Sequence, residues 1–112
     1  MRWLVDANVW IAARKAGLLT NMLRASERVS LLVPWEVSRE IAGSHEVRAT
    51  KWRDQLAASP AAALPAIPLN SAAAVVFAKL RAGRPTPAHA GQWECVALAL
   101  TDFPHATFVT AD

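Results

Sequence analysis

Tyrosine is missing from these 112 residues, cysteine occurs once and glycine four times. The lone Cys95 excludes an intrachain disulfide and a cysteine-based zinc site. It lies inside an apolar helical run, which reads as buried packing rather than a reactive thiol. No apolar stretch approaches the roughly 20 residues of a membrane helix. The N-terminus also lacks the basic-then-apolar pattern of a secretory signal. A soluble, cytoplasmic protein with no membrane partner is therefore expected. His45, His89 and His105 show no ligand spacing and read as surface residues. Neither an internal repeat nor a low-complexity tract is present, apart from an Ala/Pro-rich stretch over 57–69.

Hydrophobic residues make up 54% of the chain, which excludes disorder as the default reading. The length suits one domain, residues 1–112, around one core. A formal net charge of +3 welcomes a polyanion without requiring one.

Residues 2–6 read as a short buried strand that runs through Trp3, Leu4 and Val5 and stops at Asp6. Asp6 or Asn8 is placed to cap a helix over 8–16, with Gly17 as its stop. A second helix fits 18–27, and a second strand fits 29–33, ended by Pro34. Helices follow over 34–42 and 46–58. Pro60, Pro65 and Pro68 argue against a central strand, so a short edge strand is expected near 64–67. Asn70 or Ser71 caps a helix to about residue 80. A polar turn over 83–87, a helix to residue 100 and a last strand over 106–109 complete the chain. Strands alternating with helices, with near-continuous apolar runs in the best strands, predict an α/β three-layer sandwich. Its central, mainly parallel sheet would have about four strands flanked by helices.

In open parallel sheets, ligands bind beyond the C-terminal ends of the strands. Asp6 and Asp112 fall at such ends. Glu36 and Glu40 follow a third strand end, and Glu94 interrupts an otherwise apolar helix. Carboxylates gathered in this way suit Mg²⁺ or Mn²⁺, and such an ion can activate water against a phosphodiester. Each acid also has a plain structural reading: Asp6 as a helix cap, Glu40 as a helix acid paired with Arg39 or Arg48, Glu94 as a buried acid needing a partner, and Asp112 as a frayed end.

Four segments in order resemble one family: Leu4-Val5-Asp6-Ala7-Asn8-Val9; Val33-Pro34-x₂-Val37-x₂-Glu40-Ile41; Gly91-Gln92-Trp93-Glu94-Cys95-Val96-Ala97-Leu98-Ala99; and Phe108-Val109-Thr110-Ala111-Asp112. Together they resemble the PIN domain, the metal-dependent ribonucleases that include the VapC-type toxins of bacterial toxin–antitoxin pairs. The resemblance implies a parallel sheet with its acidic residues gathered at one end. It makes Asp6, Glu40, Glu94 and Asp112 the metal-binding, catalytic carboxylates for Mg²⁺ or Mn²⁺. Asn8 and Thr110 match polar positions that support the site, and Glu36 is left as a solvated helix residue. The partners implied are an RNA substrate, a cognate antitoxin protein and a second copy of the chain in a homodimer. Arg14, Lys15 and Arg84 follow segments near the site and are the expected phosphate contacts. Of the five tryptophans, most are expected in the core or at a dimer face, with one free to stack on a single-stranded base.

Two features depart from the family. PIN domains usually continue past the last acidic residue through a further helix and strand, whereas this sequence stops at Asp112. A truncated fragment, or a short variant completed by a partner, is expected from that. Gln92 also stands where many relatives carry another acid. The expected function is a metal-dependent endoribonuclease acting as a toxin. The alternative is a PIN-like module, weak or inert in catalysis, that works through protein or RNA contacts. An aspartyl-phosphate phosphatase is disfavoured, because the position two residues after Asp6 is Asn8 rather than an acid.

Overall fold

A computed structural model describes residues 1–25, 27–43, 49–82 and 90–110. Among these residues, four strands form one all-parallel sheet in the order β3-β2-β1-β4, with six helices around it. The α/β sandwich expected from the sequence is what the chain adopts. β1 (Arg2–Val5) lies at the centre, paired with β2 (Ser30–Val33) on one side and β4 (Thr107–Val109) on the other. Leu4, Val5, Leu31 and Val33 are almost wholly buried, as a parallel sheet covered on both faces requires.

β1 leads through α1 (Ala7–Lys15) and α2 (Leu19–Ala25) to β2. β2 leads through α3 (Trp35–Ala42) and α4 (Ala49–Ala57) to β3 (Ala62–Ala63). α5 (Ala72–Arg81) and α6 (Ala90–Leu100) then carry the chain to β4 on the far side of β1. The winding direction thus reverses between β1 and β4, which makes their C-terminal ends the topological switch point of the sheet.

Ser71, not Asn70, caps α5, its hydroxyl accepting from the Ala74 N–H at 3.1 Å. The edge strand differs from expectation. It is two residues long and lies before 64–67. The last ladder contact on that side is Leu64 N–H to the Val33 carbonyl at 2.9 Å. Pro65 and Pro68 have no N–H to continue the ladder, so pairing stops where the prolines begin. The expected turn over 83–87 and the start of the helix over 46–58 lie outside the described residues.

The core joins these layers. Trp10 of α1 and Trp52 of α4 are both fully buried and meet edge to face, with ring centroids 5.4 Å apart. The Trp52 indole N–H donates to the Ser38 hydroxyl at 3.0 Å, which ties α4 to α3. Cys95 is buried in α6 as packing. Among the described residues, no helix is long and apolar enough to cross a membrane.

Candidate carboxylate site

Asp6 and Glu94 are the two buried charged residues among those described, each only 2% exposed. Neither meets a Lys, Arg or His there. Desolvating a carboxylate without a cation is costly, so the geometry around each explains how it is tolerated.

Asp6 follows β1, and its N–H donates to the Val109 carbonyl at 3.0 Å, which extends the ladder one residue and fixes it beside the end of β4. Its Oδ1 caps α1 by accepting from the Val9 N–H at 3.2 Å. Its Oδ2 accepts from the Thr110 hydroxyl at 2.6 Å. Asp6 and Thr110 therefore clasp each other across the switch point, joining the C-terminal ends of two neighbouring strands.

Glu94 does a different job. α3 begins at Pro34, which has extended backbone angles and no side chain able to cap. Glu94 reaches over from α6, and its Oε1 accepts from the Glu36 N–H at 2.9 Å, with Val37 N–H adding a second bond. It serves as the missing cap and sets a negative charge at the positive end of the α3 dipole. Burial nonetheless raises its pKa from 4.5 to about 7. The charges of Glu36 and Glu40 add to the rise, and the two backbone N–H groups oppose it.

Glu40 returns the arrangement. Its Oε1 accepts from the Gly91 N–H at 2.7 Å, in the first turn of α6. α3 and α6 are thus in close contact, and Gly91 allows the approach. A Cβ there would stand 2.9 Å from Val37 Cγ2 and 3.2 Å from Val37 Cα.

Cys95 lies among all three acids. Burial raises its thiol pKa, and the charges of Glu94, Asp6 and Glu40 raise it further. Among the described residues, however, no group of three or more His, Cys, Asp or Glu is set to hold a metal ion. The donor chemistry, all carboxylate and hydroxyl oxygen, is that of a hard divalent cation. Asp112 lies outside the described residues.

The other expected residues divide. Asn8 is exposed in the first turn of α1. Arg14 and Lys15 occupy the last turn of α1, two turns beyond Asp6 and about 12 Å along the axis. Arg84, His45, His89 and Arg48 lie outside the described residues.

Sequence reasoning gave Glu36, Arg39 and Arg81 no part in the site. Glu36, read as solvated, has a side chain only 25% exposed and pairs with Arg39 at 3.3 Å. Glu36, Arg39, Glu40, Arg81 and Ala90 line a pocket of about 320 Å³ that opens beside the α6 N-terminus. Arg81 also lies over the Phe77 ring at 5.2 Å. Two acids and two arginines facing one opening is an arrangement that sequence spacing cannot reveal, because Arg81 comes from a different helix. No family model matches the chain, and no curated protein or solved structure matches it.

Proposed function

We propose that the chain is a metal-dependent endoribonuclease of the PIN type, acting as the toxin of a toxin–antitoxin pair. One observation carries the reading: Asp6 and Glu94, both buried, meet no cationic side chain among the described residues at the end of the sheet where parallel folds bind ligands. A partner of positive charge is what such a pair lacks. The resemblance in four ordered motifs supplies its nature. Asp6, Glu40, Glu94 and Asp112 would hold Mg²⁺ or Mn²⁺, which when bound supplies a Lewis acid for the phosphodiester and an acidified water.

The chain's own residues prepare that chemistry. The Thr110 hydroxyl and the Val9 N–H orient Asp6. The α3 N-terminus orients Glu94. Arg39 and Arg81, which line the pocket with Glu40, would meet an RNA phosphate. Arg14, Lys15 and Arg84 would contact more distant phosphates. An antitoxin protein and a second copy of the chain are the partners this reading carries. Leu18, Leu69, Val75 and Leu100 are large apolar side chains exposed for such faces.

The test is cleavage of a labelled single-stranded RNA in Mn²⁺ or Mg²⁺, with EDTA and Asp6→Asn run in parallel. Cleavage lost in both controls is the expected result. Equal cleavage by the variant, or none by the folded wild type, overturns the proposal.

A specific observation favours a second reading, a PIN-like module without useful catalysis. Glu40 and Glu94 each have a structural task as caps, which accounts for their presence without a metal. Calorimetric titration with Mn²⁺ separates the two. Tight binding abolished by Asp6→Asn excludes the inert module.

A further inference from the structure

A pocket of about 520 Å³ lies beside the α3 N-terminus and is bounded by α3, α4 and the chain around β3. Trp35, Ser38, Arg53, Leu56, Leu64 and Pro65 are among its walls. Trp35 is the first residue of α3 and precedes Glu36, whose N–H is held by Glu94. The pocket is thus one residue along the chain from the carboxylate site.

Its walls are unusual for packing alone. Trp10 and Trp52 are sealed in the core, whereas Trp35 keeps 46% of its surface exposed. Arg53 is exposed on α4 and pairs with no acid among the described residues. The Ser38 hydroxyl accepts from Trp52 and keeps its own proton to donate at the pocket wall. An aromatic face, a cation and a hydroxyl donor around a cleft of this size match a base, a phosphate and a base-edge acceptor.

We infer that this pocket is a nucleotide subsite for single-stranded RNA, in which one base stacks on Trp35 and its phosphate meets Arg53. The identity of the ligand rests on the nuclease reading, since an RNA strand crossing the carboxylates would extend along the α3 N-terminus into this cleft. Stacking on an aromatic face tolerates any base. The subsite therefore adds affinity more than sequence preference, and Ser38 contributes what discrimination there is.

The experiment uses ¹⁵N-labelled protein in EDTA, where no cleavage occurs. UMP, CMP, AMP and GMP are titrated in turn, with ribose 5-phosphate as the base-free control. The Trp35 indole N–H signal, assigned by its loss in Trp35→Phe, is followed. In parallel, anisotropy measures binding of a labelled single-stranded RNA to wild type, Trp35→Ala, Trp35→Phe and Arg53→Ala. Both mutated side chains are exposed, and circular dichroism checks that the variants fold.

Saturable shifts of the Trp35 signal with nucleotides, and not with ribose 5-phosphate, are expected. Trp35→Ala should weaken RNA binding about fivefold or more, with Trp35→Phe retaining most of the affinity. Arg53→Ala should weaken binding and lower the salt slope by about one. Three results overturn the inference: a Trp35 signal unmoved by all four nucleotides, equal shifts with ribose 5-phosphate, or Trp35→Ala binding RNA like wild type. Nucleotide binding at Trp35 without RNA cleavage in Mn²⁺ leaves the subsite standing and removes the nuclease. Cleavage with a silent Trp35 does the reverse.

Discussion

Glu40 and Glu94 each hold the first turn of the helix that carries the other. Glu94 of α6 accepts from the Glu36 N–H of α3, and Glu40 of α3 accepts from the Gly91 N–H of α6. The two helices are thus clamped by a reciprocal pair of caps. The same pair that makes the region acidic makes it rigid. Stability and function can therefore be separated only by substitutions that keep the acceptor oxygen and remove the charge.

That separation is the first prediction. Glu94→Ala strips the cap from α3 and leaves a void, and should cost about 2–4 kcal/mol. Glu94→Gln keeps an oxygen for the Glu36 N–H and removes a desolvated charge, and should lie within about 1 kcal/mol of wild type near pH 8. Urea denaturation in EDTA measures both. A Glu94→Ala protein as stable as wild type would show that the cap contributes nothing.

The second prediction concerns pH. Glu94 has a folded pKa of about 7 against 4.5 for an unperturbed carboxyl. Between those values the folded chain holds a proton that the unfolded chain has lost. The stabilisation is complete below the lower value and disappears as pH rises through the upper one, amounting to about 3 kcal/mol. The urea midpoint of the metal-free protein should fall between about pH 5 and about pH 8. In Glu94→Gln this component should vanish; an unchanged slope in the variant would assign the titration to another group.

The sheet and the position of Asp6 at the end of β1 were legible because each rests on a local signal. An apolar run closed by Asp6 marks a parallel strand end, and Ser71 before an apolar helix marks a cap. The edge strand was misplaced by a few residues because its apolar pattern continues through Leu64 and Ile67, while backbone donors, absent at Pro65 and Pro68, decide where pairing ends. Glu94 was recognisable as a buried acid needing a partner, yet its partner is a backbone N–H 58 residues away in sequence. A proline N-cap with no capping side chain was the available clue that some other residue must serve α3. The pocket shared by Arg39 and Arg81 left no sequence trace, because it depends on how α3 and the end of α5 meet.

Gly91 gives the third prediction, one that opposes local propensity. Alanine is the better helix former by about 1 kcal/mol. At this position its Cβ would meet the side chain and backbone of Val37 at 2.9 and 3.2 Å. Gly91→Ala should therefore destabilise by about 1–3 kcal/mol through forced separation of α3 and α6. It should also lengthen the Glu40 contact. Thermal denaturation reads the first effect; a raised melting temperature would mean that the helices separate without cost.

The last prediction asks whether the Asp6–Thr110 clasp serves only the fold. The Thr110 hydroxyl donates to Asp6 Oδ2, while Oδ1 is occupied in capping α1. Thr110→Val removes that donor with little change in shape and should cost about 1–3 kcal/mol, as expected for a hydrogen bond to a charged group. Thr110→Ser, which keeps the hydroxyl, should recover most of it. If Asp6 is a metal ligand, the same substitution loosens its orientation and should weaken Mn²⁺ binding by about 10- to 100-fold. If Asp6 is only a cap, stability falls and Mn²⁺ binding is unaffected. Calorimetry on Thr110→Val and Thr110→Ser, at a temperature where both are folded, distinguishes the two. A loss of stability with no loss of metal affinity would assign the clasp to architecture alone and leave the buried acids as helix caps.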